Sequence, residues 1–427
     1  MLTSCIFQGI AAILRTDDFS PGHHDLIRLS QTHESYSVRL LYGNTMRYCV
    51  VGCGFSGAVL ARHLARKGHK VLLIDERNHL GGNCHTYRDA NTGIMVHQYG
   101  PHIFHTGDRR TWDYVRQFGN FYPYVNRVKA ISGGRVYTLP INLLTINQFF
   151  GHTLNPHEAR QFITEKADRN IVSPRNFEEQ ALSMIGPELY HAFFYGYTCK
   201  QWGVKPSELP ASILKRLPVR FNYDDNYFNH PYQGIPENGY TAIIENIINI
   251  ENIEIKLKTS FEDIDEDFSH VFYTGPIDRY FNFRLGRLGY RTLSFERFEG
   301  DGDYQGTAVM NYCDEDVPYT RISEHKHFAP WEQEKFSRTV CFREFSRLAG
   351  PDDAPYYPIR LAGEKRLLND YIALARSTRG VSFLGRLGTY RYLDMDVTIT
   401  EALAACDRMD TLLSTQQELP PFFTDPV

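Results

Sequence analysis

The feature that most limits what this chain can fold into is Gly52-Cys53-Gly54-Phe55-Ser56-Gly57, a GxGxxG set at a junction. Before it, Arg47-Tyr48-Cys49-Val50-Val51 reads as a strand. After it, Phe55 to about Lys67 reads as a helix, with Ala58, Leu60, Ala61, Leu64 and Ala65 towards a core and Gly68 as its stop. Glycines in this context allow a tight turn and a close approach of pyrophosphate to the backbone. The helix N-terminus adds partial positive charge for the phosphates. Lys70 to Asp75 is nearly all apolar, as a central parallel strand is. Asp75 closes that strand about 20 residues on, where a carboxylate accepts hydrogen bonds from ribose hydroxyls. Strand, turn, helix, strand and acid together specify a dinucleotide-binding α/β unit.

Glu76-Arg77 follow, and then Gly81-Gly82-Asn83, a second glycine pair close behind the acidic residue. A nicotinamide fold has no general need for this second close approach. The arrangement resembles the extended pyrophosphate motif of FAD proteins related to glutathione reductase and the amine oxidases. FAD is therefore the expected cofactor.

Further along, His270–Tyr273, closed by Thr274-Gly275-Pro276, reads as a strand returning to the first sheet. Val381–Leu384 reads as another strand, and about Asp394 to Leu413 as a final helix. A helix-rich middle runs roughly from Asn155 to Leu217. Thr292–Phe298, Thr307–Tyr312, Tyr319–Ile322 and Val340–Phe345 read as antiparallel strands joined by polar turns. Residues 1–45 show no periodic apolar face and are expected to be a disordered extension.

A net charge of -4 gives no reason to expect nucleic acid or an anionic membrane as partner. Nothing approaches the ~20 consecutive apolar residues of a membrane helix. The eight cysteines lie apart without CxxC pairing, so neither a metal site nor a disulfide framework is expected, and a reducing cytoplasm is.

The resemblance sharpens in Tyr99-Gly100-Pro101-His102-Ile103-Phe104-His105-Thr106, Lys200-Gln201-Trp202-Gly203 and Arg216-Leu217-Pro218-Val219-Arg220-Phe221. It continues in Asn226-Tyr227-Phe228, Tyr273-Thr274-Gly275-Pro276-Ile277-Asp278, Pro318-Tyr319-Thr320-Arg321-Ile322 and Tyr356-Tyr357-Pro358. Gly385-Arg386-Leu387-Gly388-Thr389-Tyr390-Arg391-Tyr392-Leu393-Asp394-Met395 completes it. In order and spacing, residues 46 to 413 resemble the bacterial UDP-galactopyranose mutases. The fold this implies is α/β: a Rossmann-like FAD-binding domain assembled from separated segments (46–118, 230–285 and 345–415), with a helical domain and an antiparallel-sheet domain. The helical substrate domain, with a mobile loop, would take 145–215, and the sheet domain 119–144, 216–229 and 286–344.

By the same resemblance His102 approaches the flavin, and Arg216 and Arg321 grip the substrate diphosphate, the three catalytic positions. A planar, permanently charged guanidinium suits that task. Asn142, Tyr197, Thr198, Trp202, Tyr227, Tyr392 and Asp394 fall on substrate-binding positions. Gly52, Gly54, Phe55, Ser56, Gly57, Asp75, Glu76, Arg77, Gly82, Asn83, His102, Arg386 and Met395 fall on cofactor positions. Four residues depart from the family pattern, one of them Asp75 in place of the more common Glu, a change the ribose contact should tolerate. Phe345 stands where a phosphate-binding Tyr is usual, Asp396 replaces a His, and Leu384 replaces a Gly whose loss is expected to disturb the backbone near the flavin.

The resemblance implies an isomerase that interconverts UDP-galactopyranose and UDP-galactofuranose, acting as a cytoplasmic homodimer in cell-wall polysaccharide biosynthesis. No dyad of carboxylates and no activated Ser or Cys stands out in the sequence. The family's solution is covalent catalysis: N5 of reduced FAD attacks the anomeric carbon, the sugar opens, and the ring recloses before UDP returns. Fold alone leaves open an amine-oxidase-like oxidoreductase or a binder without catalysis.

Overall fold

Apolar runs with no polar interruption can only be strands buried on both faces, and that is where the first of them lie. The computed structural model describes residues 45–216, 219–359 and 362–426. In it Arg47–Val51 is the middle strand of a five-stranded, wholly parallel sheet. Its neighbours are Lys70–Asp75 and His270–Tyr273, with Ile253–Leu257 and Val381–Phe383 at the edges. The helix Phe55–Arg66 packs one face, with Ala58, Leu60, Ala61, Leu64 and Ala65 all buried as their spacing predicts. Helices Gly239–Ile248 and Met395–Ser414 join the same core. On the other side Tyr371 and Ile372, from the helix Ala362–Ser377, pack with Tyr273 and Phe383. The strand Ile253–Leu257 is an edge that the sequence reading did not name.

A seven-stranded sheet forms the second layer, in the order Tyr357–Pro358, Tyr290–Asp301, Arg338–Leu348, Arg321–Glu324, Val309–Tyr312, Val128–Ser132, Arg135–Leu139. All its pairings are antiparallel except Val309–Tyr312 with Val128–Ser132. The two longest strands outrun their expected ends, because Tyr290–Asp301 and Arg338–Leu348 pair along eleven registered positions.

The middle of the chain is helical. An Asn155–Glu158 capping box starts Pro156–Lys166, and Asn176 caps Phe177–Tyr190. A π-helical turn, His191–Tyr195, carries the chain into the short helix Gly196–Trp202, which stops at Gly203 with φ 69°. Phe177, Leu189, Tyr190 and Phe193 meet Tyr137 and Ile146 in a core of their own. Residues 1–44, most of the expected extension, lie outside the described residues.

Three core histidines carry a consequence for pH. His97, His270 and His325 are buried, and burial lowers all three, His270 to about 4, His325 to about 3 and His97 well below its usual 6.5. They are neutral in the folded chain and take up protons once unfolded, so below about pH 6.5 the unfolded state binds more protons. Stability is therefore complete above that pH and is lost as pH falls towards the folded values. Scanning calorimetry should show Tm falling progressively from pH 6.5 to 4.5; a flat Tm across that range would contradict the buried neutral assignment.

Candidate functional site

The turn at Gly52 works because no side chain could replace Gly52 or Gly57. Gly52 has φ 105°, and a Cβ there would fall 2.1 Å from Thr274 Oγ1. A Cβ on Gly57 would stand 1.9 Å from the Gly52 carbonyl oxygen, so the helix can cross the turn this closely only without one. Gly54 differs, with φ -84° and no atom within 4 Å of where a Cβ would stand, which leaves its surface for a ligand. Asp75 braces the same turn: Oδ2 accepts from the Cys53 N–H (2.8 Å) and Oδ1 from the Arg77 N–H (3.0 Å).

The cleft beside this turn encloses about 1150 Å³, part of it open to solvent. Gly52, Gly54, Phe55, Ser56, Asp75, Glu76, Arg77, Gly82, Asn83, His102, Arg386 and Met395 all line it. Gly57 is held back under the turn in a packing role. Glu76 pairs with Arg279. Arg77 lies over the Tyr99 ring, and its Nη2 donates to Asn83 Oδ1 (2.8 Å), while its buried Nη1 has no partner. A cradle of this length, with an orphaned guanidinium nitrogen and a helix N-terminus, fits the diphosphate of a dinucleotide.

Next to that cleft stands a cluster of charges and phenols. Arg321, on the strand Arg321–Glu324, donates from Nε to Glu344 Oε2 at 2.7 Å. Glu344 is 0% exposed, and Thr320 Oγ1 donates to its other oxygen at 3.3 Å. Tyr197 and Tyr357 lie close enough to Arg321 to feel its charge, and Tyr227 lies near Arg321, Tyr392 and Asp394. Burial raises all three phenols, Tyr197, Tyr227 and Tyr357, so each keeps its proton and can donate a hydrogen bond. Trp202 sits with its ring 6.4 Å from that of Tyr357, and Thr198 is buried on the same short helix.

His102 joins the two regions. Burial first, then Arg386 and Arg321, lower its pKa to about 4. Its Nδ1 lies 2.8 Å from the Gly100 carbonyl. A neutral ring facing a carbonyl carries its proton at Nδ1, which leaves Nε2 as an acceptor. Arg386 is anchored by donating from Nε to the Leu393 carbonyl (2.9 Å), and lies over Tyr392.

Several expectations meet a different arrangement. Asn142 is 1% exposed and caps the helix Leu143–Phe150: its Oδ1 accepts from Thr145 N–H (3.0 Å) and its Nδ2 donates to Thr138 Oγ1 (3.0 Å). Both ends of its amide are engaged away from the cluster. The nearby asparagine that sequence reasoning missed is Asn126, whose backbone carbonyl accepts from the Tyr227 N–H and whose buried Oδ1 has no partner. Phe345 follows Glu344 on the strand and so points to the opposite face, where it meets Tyr319. Leu384 is extended at φ -140° and buried in the core, so it strains nothing; the left-handed residue is Gly385, φ 73°. Asp396 is buried near the start of the last helix with Oδ1 unpartnered, and it acts electrostatically on His105. Arg216 ends the segment Ala211–Arg216, and its side chain lies outside the described residues.

Other chemistries find little support. Cys84, the cleft's thiol, is pushed up to about 12 by burial and stays protonated. Among the described residues, Asp303, Glu324 and His327 come together, yet Lys326 Nζ already pairs with Asp303 Oδ1 at 2.5 Å, and Glu324 accepts from the Tyr304 and Gln305 N–H groups. No helix among them is long and apolar enough to cross a membrane.

Residues 192–392 match the UDP-galactopyranose mutase family, and residues 50–118 match an NAD(P)-binding Rossmann-like domain. A Klebsiella pneumoniae protein described as "Probable UDP-galactopyranose mutase" is 59% identical over 90% of this chain and 100% of its own. The dTDP-fucopyranose mutase of Escherichia coli is 52% identical over 83% of this chain and 96% of its own. In fold, a crystal structure of reduced UDP-galactopyranose mutase superposes with a TM-score of 0.67 at 16% identity, covering 89% of this chain and 99% of that one.

Two glycine substitutions separate packing from ligand contact. Gly57→Ala should destabilise the protein by ~1–3 kcal/mol through overpacking. Gly54→Ala should leave Tm of the cofactor-free protein unchanged and weaken cofactor binding. Thermal melts with and without cofactor check both, and equal effects of the two variants would contradict the division.

Proposed function

Because this chain belongs to the UDP-galactopyranose mutase family, we propose that it interconverts UDP-galactopyranose and UDP-galactofuranose on a bound, reduced FAD. The carrying observation is the cluster around Arg321, a half-buried cation ringed by protonated phenols beside a dinucleotide cleft. Gly52, Gly54, Asp75, Arg77, Asn83 and Arg386 would hold FAD. When bound and reduced, FAD supplies a nucleophilic nitrogen, N5, for the anomeric carbon.

The protein's own part is to hold UDP while the sugar is detached from it. Glu344 fixes the guanidinium of Arg321 through Nε, which leaves the Nη edge for a phosphate. Tyr197, Tyr227, Tyr357 and Tyr392 donate to phosphate oxygens, and Arg216 would add a second cation from its loop. Such preorganised contacts are worth ~3–4 kcal/mol each where charge develops. His102, neutral and with Nε2 as acceptor, faces the reacting region without adding positive charge beside Arg386. The homodimer, the cytoplasm and the supply of cell-wall polysaccharide go with this reading.

The dTDP-fucopyranose relative supports a second reading, in which the substrate is the deoxysugar on dTDP. One experiment separates them: reduce the flavin once, exclude oxygen, and offer UDP-galactofuranose and dTDP-fucofuranose in parallel. Many turnovers per reduction are expected, with kcat/KM for the UDP sugar at least ~10-fold the higher, about 1.4 kcal/mol. A preference for the dTDP sugar selects the second reading, and one product per reduction rejects an isomerase. Arg321→Ala should lower kcat/KM by more than ~10-fold, and Arg321→Lys should also lose activity, since an ammonium cannot reproduce the fork. Normal kinetics in both with full flavin content would remove Arg321 from the site.

A further inference from the structure

The short helix Gly196–Trp202 bears Tyr197, Thr198 and Trp202, yet it belongs to the helical part, whereas Arg321 belongs to the sheet. Something must fix the distance between them. One stripe of this helix, residues 196, 200 and 203, meets the sheet and the loop that leads to Arg321. A Cβ on Gly196 would fall 2.4 Å from the Cys313 carbonyl oxygen, and one on Gly203 would fall 2.4 Å from Arg291 Nη1. Between them Lys200 inserts its ammonium into the loop. Its Nζ donates to the carbonyls of Tyr312 (2.8 Å), Asp314 (2.7 Å), Val317 (3.0 Å) and Tyr319 (3.2 Å). Four carbonyl oxygens thus converge on one point, an arrangement that suits a bare cation, and three N–H groups serve all four. Tyr319 is two residues from Arg321. The helix end is also held: Arg291 donates to the Gln201 carbonyl through Nε (3.0 Å) and to the Lys200 carbonyl through Nη2 (3.2 Å), and Ser346 Oγ donates to Gln201 (2.6 Å).

We propose that Lys200 is a positioning residue for the mutase reaction: its ammonium, caged by four loop carbonyls, sets the spacing between the uridine-side helix and Arg321. The inference rests on the reading of the site given above. A ligand that spans both halves gains from this spacing, because its second contact forms at a high effective concentration. A fragment that touches one half does not.

The test is Lys200→Ala in the flavin-loaded full chain, titrated with UDP and with uridine, which lacks the phosphates that reach Arg321. UDP affinity should fall at least ~10-fold while uridine affinity changes less than ~3-fold. Methylammonium, which fits the emptied carbonyl cage, should recover most of the UDP loss, and methanol of similar size should not. Equal losses for UDP and uridine, or no loss for UDP, overturn the inference, as does recovery by methanol. If Lys200→Ala does not accumulate folded, Lys200→Gln is titrated in the same way and should show the same pattern at smaller size. Failure of the wild-type protein to bind UDP at all would instead sink the reading of the site, and this inference with it.

Discussion

A carboxylate with no exposure to water must be answered by a positive charge, and Glu344 is such a carboxylate. It sits on a strand that pairs on both sides, with Tyr290–Asp301 and with Arg321–Glu324. Removing a partner from a buried pair costs ~3–5 kcal/mol, because the remaining charge stays buried. Arg321 is that partner, so its position follows from the charge balance of the sheet as much as from any ligand. The same pairing aligns the guanidinium beside Tyr197 and Tyr357, contributed by a helix and an edge strand far apart in sequence. Once Glu344 is in place, the chemistry of the cluster is largely determined.

The two halves of the site were legible in the sequence to different degrees, for a physical reason. Gly52 to Asp75 is local: a turn, a helix and two strands within one supersecondary unit, each signalled by its own residues. The structure reproduces Arg47–Val51, Lys70–Asp75 and His270–Tyr273 at their expected bounds. The Arg321 cluster is assembled over long range, and residue type alone does not say which tyrosine reaches it. Phe345 was expected to mark a missing phosphate contact, yet successive residues of a strand face opposite ways, and next to Glu344 it turns towards Tyr319. Asn142 is assigned to the substrate by resemblance, but Asn is also a preferred helix cap, and a cap is what its hydrogen bonds form. Leu384 looked like a lost glycine, though the backbone needs its left-handed residue one position later.

What the cluster leaves out is as informative as what it holds. Burial keeps the phenols of Tyr197, Tyr227 and Tyr357 protonated, keeps the Cys84 thiol protonated and keeps His102 neutral. None of these groups is a strong nucleophile or a strong base in that state. Glu344 is tied to Arg321 and cannot approach an anomeric carbon without breaking that pair. Among the described residues, Asp394 near Tyr227 is the carboxylate left over, so the arrangement offers far more to orient an anion and surround it with donors than to attack carbon.

That imbalance is the strongest internal argument for a bound nucleophile. Moving a sugar between two ring forms while its diphosphate leaves and returns needs two things: a group that takes the anomeric carbon, and a grip on the departing anion. The described residues supply the second in excess, with Arg321, Arg386 and several phenols around one region. The cleft beside them, shaped by Gly52, Gly57 and Asp75 and floored by His102, has the form that would bring the first. His102 being neutral matters here, since an imidazolium next to Arg386 would draw electron density from any nucleophile placed there. The helix N-terminus behind Gly54 favours the anionic diphosphate of a dinucleotide. Charge in one half and steric room in the other thus divide the site between a grip on an anionic diphosphate and a cradle for a dinucleotide.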